Sequence, residues 1–377
     1  MIYLDNSATT YPKPLKVRQA VSSAMQNSAN PGRGGYDLAM RSSEEIFRTR
    51  KAVADFFGFQ KEENIIFTLN CTTALNIVMK GTLKSGDHVV VSSLEHNAVM
   101  RPLQKLTEKG ISYSIANVFP CDNDKTVDSF RNAINSKTKM IICTHASNVW
   151  GIKLPIDRIS ALAHEYGVLF TVDAAQSAGI VPINLTFENN IDFLCVAGHK
   201  GLYGPMGTGI LIVSGDTVPS PLIEGGTGSN SMSLEQPSDL PDRLESGTPN
   251  YSGIIGLRAG MDFVSSKKIE NISKHEFGLI KHLYKELSKI PKVKLYLPEP
   301  SEEYFVPILS FNIKDMDSEG VSSALNKKGI AVRAGLQCSP LAHKSMNTLE
   351  TGSVRISPSI MTRPYDIDYL VSAVRKI

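Results

Sequence analysis

Short apolar, β-rich runs recur along the chain from about residue 45 to 215. They are NIIFTL (64–69), DHVVVSSLEH (87–96), KMIICTHASN (139–148), GVLFTVDAAQ (167–176), IDFLCVAGHK (191–200) and GTGILIV (207–213). Helix-compatible segments such as SEEIFRTRKAVADFFG and IDRISALAHEYG separate many of them. Apolar strands interleaved with amphipathic helices predict an α/β domain built on a mainly parallel sheet. In DRISALAHEYG, Asp157 is a candidate N-cap and Gly167 a candidate C′ residue.

The pattern then changes. Residues 215–250 are rich in Gly, Ser, Pro and Asp and read as a long loop, which in a compact domain is usually functional or disordered. From about 251 one long helical segment is expected, SGIIGLRAGMDFVSSKKIENISKHEFGLIKHLYKELSKI. Short strands follow (VKLYL, VPILSFNI, IAVRAG), and RPYDIDYLVSAVRKI forms a final helix. These make a smaller α+β domain.

Composition narrows the function classes. With 377 residues, 42% hydrophobic and 20% charged, the chain is long enough for a large domain and a smaller one. The net charge of +3 and the lack of like-charge blocks argue against nucleic-acid binding and a polybasic membrane patch. The opening MIYLDNSATT has no basic n-region, and no apolar run is long enough for a transmembrane helix. Five scattered cysteines (71, 121, 143, 195 and 338) without C-x-x-C spacing argue against a disulfide framework or a zinc site. They point to a reducing, cytoplasmic setting. No metal is expected.

Open α/β sheets bind ligands at the carboxyl ends of their strands. Polar residues gather at those places: Thr72 after IIFTLNC, His96 after VVVSSLE, Asn148 after IICTHAS, Asp173 and Gln176 after VLFTV, and His199 and Lys200 after FLCVAG. A strand-end lysine set beside GLYGPMGTG could lie in a cleft where burial lowers its pKa and leaves a reactive amine. No G-x-x-x-x-G-K-[ST] pattern surrounds it, so a P-loop is excluded. Asp173 reads as a turn acid or as the partner of a pyridine-type ring nitrogen, with Gln176 three residues on able to reach the same ring. His96 suits stacking on a flat cofactor or proton transfer. Thr72 stands where a helix should begin, a good phosphate seat or an ordinary cap. Arg355, between Val354 and Ile356, reads as a strand arginine facing a cleft, the usual clamp for a carboxylate. Cys338, in AVRAGLQCSPLAHK, is the cysteine with the most suggestive surroundings.

With these residues in place the chain resembles the class V aminotransferase family of pyridoxal 5′-phosphate (PLP) enzymes, and within it the cysteine desulfurases. The likeness runs nearly end to end: YLDNSATT at the start, EHNA (95–98), SNVWG (147–151), VDAAQSAG (172–179), GHKGLYGPMGTG (198–209), ESGTPN (245–250) and RAGLQC (333–338). Only 16 residues lie between Cys338 and Arg355, a short loop like that of the Suf-type group. Ala197 stands where many relatives have Ser or Thr, Gly201 looks like an extra residue, and Leu336 and Gln337 depart from the RAGHHC of that group.

The resemblance implies a fold-type I architecture. A large domain (15–255) would carry a mainly parallel seven-stranded sheet, and residues 1–14 with 256–377 would form the small domain. It implies that Lys200 holds PLP covalently, Asp173 partners the ring nitrogen, Gln176 the ring hydroxyl, and His96 stacks on the ring. It assigns phosphate contacts to Thr72, the backbone of Cys71, His199, and Thr248 from the second subunit of a homodimer. Asn148 and Arg355 would hold the substrate amino acid. Cys338 would accept sulfur from L-cysteine as a persulfide, releasing alanine and passing sulfur to an acceptor protein, whether for iron–sulfur cluster assembly, tRNA thiolation or selenium handling. A selenocysteine lyase or another class V lyase or aminotransferase, with Cys338 inessential, is the alternative. A silent scaffold that kept the fold is disfavoured by the intact Lys200, Asp173, His96 and Arg355.

Overall fold

The computed structural model describes residues 1–32, 34–186, 190–229 and 231–377. The chain opens with β1 (Ile2–Tyr3), α1 (Leu15–Gln26) and α2 (Asp37–Phe57). Strands and helices then alternate as far as β6, and two more strands follow: β2 (Ile65–Thr68), α3 (Cys71–Thr82), β3 (His88–Ser92), α4 (Asn97–Thr107), β4 (Ser112–Ala116), α5 (Asn123–Ala133), β5 (Thr138–Thr144), α6 (Ile156–Glu165), β6 (Leu169–Asp173), β7 (Phe193–Ala197) and β8 (Gly209–Val213). One seven-stranded sheet collects them in the order β2-β8-β7-β6-β5-β3-β4. β8 runs antiparallel to both neighbours, and the remaining adjacent pairs are parallel.

The apolar runs are continuous because helices cover both faces. Val90, Ile141, Phe170, Leu194 and Ile212 face one core. Val89, Ile142, Phe193, Cys195 and Leu211 alternate into the other. All six expected strands are present. β4 is the strand the apolar pattern missed: it lies at the sheet edge, and only Ala116 in it is buried.

Between β8 and the next helix the described residues form turns and bends, as expected. The expected single long helix is instead two, α7 (Tyr251–Lys267) and α8 (Ile269–Leu287). They break at Lys268, whose φ is +66°. No glycine or proline marks the break, so the sequence did not signal it. The bend lets α7 pack on α1 and α2 while α8 packs on the last helix. Then come β9 (Val293–Leu295), β10 (Leu309–Ile313), α9 (Ser318–Asn326), β11 (Ile330–Ala331), α10 (Pro340–Ser345), β12 (Val354–Ile356) and α11 (Pro364–Arg375). β12-β10-β9 form an antiparallel sheet, and β11 pairs with β1 in parallel. A third core of Leu4, Ile280, Leu283, Phe311, Ile356 and Leu370 lies here. At α6 the N-cap is Pro155 and not Asp157, which sits in the first turn. There its charge opposes the positive helix end without capping a backbone N–H. Gly167 takes the left-handed φ of +64° expected of a C′ residue.

Gly201, just after Lys200, is required by close packing. A Cβ there would stand 2.3 Å from the Ala178 carbonyl oxygen, and one on Gly179 would stand 2.3 Å from the Gly201 carbonyl oxygen. The obstacle is backbone on both sides and cannot rotate away. Gly201→Ala is therefore expected to destabilise by about 3 kcal/mol or more. Gly167→Ala, with open space around its Cβ, should cost only the left-handed strain of about 1–2 kcal/mol. Urea denaturation of the two variants side by side checks the order.

Candidate active site

A cavity of about 80 Å³ opens at the carboxyl ends of β3, β5, β6 and β7, where the loops leave the sheet. The residues predicted at five strand ends converge there: Cys71 and Thr72, His96, Asn148, Asp173 with Gln176, and His199 with Lys200 all line it. Ala197, the last residue of β7, lines it as well.

Asp173 ends β6 and is 4% exposed. Its Oδ1 accepts from the Ala175 N–H at 2.9 Å and from the Cys71 thiol at 3.3 Å. Both bonds fall on one oxygen and leave Oδ2 for a ligand. Burial and the neighbouring Asp173 charge push the Cys71 thiol well up, so it remains a donor. The role of this side chain had no signal in the sequence beyond the cysteine's place in a helix start. α3 is capped by Asn70, whose side chain accepts from the Thr73 N–H at 2.9 Å. Thr72 is thus not a cap. It sits exposed in the first turn, where unpaired backbone N–H groups and the helix dipole favour an anion. His199 adds a ring whose buried Nδ1 has no hydrogen-bond partner among the described residues.

Burial sets the charge states. It pushes the Lys200 amine down, against the opposing pull of Asp173. His199 falls to about 4 through burial and the neighbouring Lys200 and Lys13 charges. His96 is also pushed down, chiefly by burial. Its Nδ1 accepts from the Ala98 N–H at 3.0 Å, so the neutral ring carries its proton on Nε2. The N-terminal segment braces this turn: Thr9, Thr10 and Lys13 donate to the His199 carbonyl at 3.1, 3.2 and 2.7 Å. Ser7 accepts from Gln176 Nε2 at 3.1 Å.

Cys338 is exposed on the turn that follows β11, with φ of +57°. Its carbonyl accepts from the Asn97 N–H at 2.8 Å, which seats it beside His96. Asn148 holds the same turn, donating to the Gln337 carbonyl at 2.8 Å and accepting from Ser339 Oγ at 2.6 Å. Arg355, on β12 and 2% exposed, donates to the Asn148 carbonyl at 2.8 Å and to Asp5 Oδ1 at 2.7 Å. Its Nε is buried without a partner among the described residues. The cations near Cys338 in sequence do not all face it. His343 is fully buried and pushed down to about 4 by burial, and Arg333 turns to Asp5 at 3.1 Å.

Thr248 stands apart. In its own chain it is exposed and lines a separate cavity of about 200 Å³ with Leu69 and Asn250. Glu95 was missed by the sequence reading. It is fully buried, and its Oε1 accepts from the Ser92 hydroxyl and, at 2.8 Å, from the Thr144 N–H. It thereby ties the ends of β3 and β5 beneath His96. Burial pushes it up to about 8. Among the described residues no cluster could hold a metal ion, and no helix is long and apolar enough to cross a membrane.

A lysine amine and a carboxyl thus line one cavity together with a helix N-terminus and a histidine. The family model for aminotransferase class-V matches residues 2–370, and the chain belongs to that family. Within it the chain is 35% identical to a probable cysteine desulfurase of Methanothermobacter thermautotrophicus, covering all of this chain and 94% of that one. It is 30% identical to a probable cysteine desulfurase of Vibrio cholerae, covering 100% and 93%. The apo structure of a cysteine desulfurase from Thermococcus onnurineus superposes with a TM-score of 0.91 at 30% identity, over 100% of this chain and 94% of that one.

Glu95 predicts a pH effect. Its folded value of about 8 lies above the ordinary 4.5. Its contribution to stability is therefore complete below pH 4.5 and lost as pH rises through 8, at about 1.4 kcal/mol per pH unit within that window. Glu95→Gln should remove this slope, as read from urea midpoints between pH 5 and 8.

Proposed function

We propose that the chain is a PLP-dependent cysteine desulfurase that converts L-cysteine to L-alanine and moves the sulfur to Cys338. One observation carries the reading: the exposed Cys338 is held through its carbonyl by the N–H of Asn97, the neighbour of His96, which lines one cavity with Lys200 and Asp173. Curated relatives named cysteine desulfurases over the whole chain support it.

Bound PLP supplies an electron sink beside the substrate Cα. Lys200 would hold the cofactor through Nζ. Its neutral amine, which burial favours, would take the Cα proton of the substrate. Asp173 would keep the ring nitrogen protonated through Oδ2, Gln176 would meet the ring hydroxyl and His96 would stack on the ring. The first turn of α3 at Cys71 and Thr72, with His199, would hold the phosphate. Asn148 and Arg355 would orient the substrate; Arg355 Nε, buried without a partner among the described residues, offers an N–H to a carboxylate.

The Cys338 thiolate attacks the substrate sulfur. The new S–S bond forms as the substrate Cβ–S bond breaks, the electron pair passes to the carbon skeleton, and Cβ takes a proton. Lys200 returns a proton to Cα. Alanine leaves, and Cys338 keeps the sulfur as a persulfide for the thiol of an acceptor protein. Thr248, remote from the site in its own chain, would complete the phosphate seat of a second copy, so the working form is a homodimer. Five free cysteines fit a cytoplasmic setting.

Lys200→Ala should lose the visible absorbance of the bound cofactor. Cys338→Ser should keep that absorbance and lose alanine release from cysteine on the order of 100-fold or more. Spectra and alanine assays with dithiothreitol check both, and a fully active Cys338→Ser enzyme would remove the thiol from the reaction.

A further inference from the structure

The turn that carries Cys338 is held in an unfavourable conformation. Gln337 and Cys338 have φ of +43° and +57°, a region that side chains with a Cβ disfavour. Two main-chain anchors, from Asn148 to the Gln337 carbonyl and from Asn97 to the Cys338 carbonyl, would persist with any side chain at 337. A third anchor belongs to the Gln337 side chain alone. Its Nε2 donates to the Ser353 carbonyl at 2.7 Å, and its Oε1 lies 2.9 Å from His343 Nε2.

The donor roles follow from chemistry. The Ser353 carbonyl can only accept, so the amide nitrogen faces it and the amide oxygen faces His343. His343 must then donate from Nε2. Its Nδ1 takes the Thr348 hydroxyl at 2.8 Å. The ring packs against Trp150 with centroids 5.4 Å apart, and Trp150 Nε1 donates to the Ala342 carbonyl at 2.8 Å. Burial holds His343 at about 4, so the ring stays neutral at working pH. The clamp is thus a rigid ring in a buried frame gripping one side chain of a strained turn. Gln337 and His343, both within LQCSPLAHK, supply the two halves.

We propose that Gln337 is a positioning residue: its amide, gripped between the Ser353 carbonyl and the His343 ring, holds Cys338 in the left-handed conformation that presents its sulfur to the substrate. This rests on the desulfurase reading for what Cys338 does, but not for the clamp itself.

The test uses the holoenzyme with Gln337→Leu, His343→Phe, the double variant and Cys338→Ser as control. It reads amide hydrogen exchange over residues 335–339 together with kcat and KM for alanine release. Each single variant should raise exchange in that turn and lower kcat about tenfold, with KM within about twofold. The double should be no worse than the worse single, because the two side chains act as one clamp. Unchanged exchange and kcat in Gln337→Leu, or losses that multiply in the double, would overturn the proposal. Gln337→Leu, a partly exposed site, keeps the test open if His343→Phe does not fold. An active Cys338→Ser enzyme would remove the thiol from the reaction, while exchange would still decide the clamp.

Discussion

A single buried guanidinium ties the functional parts of this chain together. Arg355 is 2% exposed, and an unpaired charge at such a place would cost about 3–5 kcal/mol. Asp5 neutralises it at 2.7 Å, and the Asn148 carbonyl takes a second N–H at 2.8 Å. Three segments far apart in sequence meet at that group: the stretch after β1, the loop after β5, and β12. The bonding then spreads outward. Asp5 Oδ2 holds Arg333 at 3.1 Å, on the strand-like segment leading to Cys338. The Asn148 side chain grips the Cys338 turn from both of its polar atoms. The placement of the exposed thiol thus follows from the need to neutralise a charge that sits elsewhere.

The other half of the site is governed by desolvation. Lys200, His96 and His199 are all driven toward their neutral forms chiefly by burial, while Asp173 pulls Lys200 and His96 the other way. Neutral bases beside a buried carboxyl suit proton transfer at a carbon atom. The bracing of the His199 carbonyl by Thr9, Thr10 and Lys13 explains physically why a segment at the very start of the chain matters to a lysine near its middle. Gly179 and Gly201 allow the turns around that lysine to pack backbone against backbone.

Much of this was legible in the sequence, for identifiable reasons. Strands covered on both faces write themselves as apolar runs, and a parallel sheet delivers its strand ends to one side. Thus His96, Asn148, Asp173 and Lys200 could be placed together before any coordinates. β4 was not legible because an edge strand buries little. The α7–α8 break was not, because Lys268 adopts a left-handed φ without a glycine to announce it. Glu95 and the Cys71 side chain escaped notice because their roles are contacts beneath the site, which no spacing encodes. His343 is close to Cys338 in sequence yet is a buried neutral ring: sequence gives proximity along the chain, while burial decides charge.

The account turns on Cys338 taking the substrate's sulfur, and peptide mass spectrometry observes this directly. The holoenzyme would be mixed with cysteine, quenched with an alkylating agent and digested. The account predicts one additional sulfur atom on the Cys338 peptide, formed as alanine appears. Alanine release with the extra sulfur on Cys71, Cys121, Cys143 or Cys195, or on no cysteine at all, would contradict it.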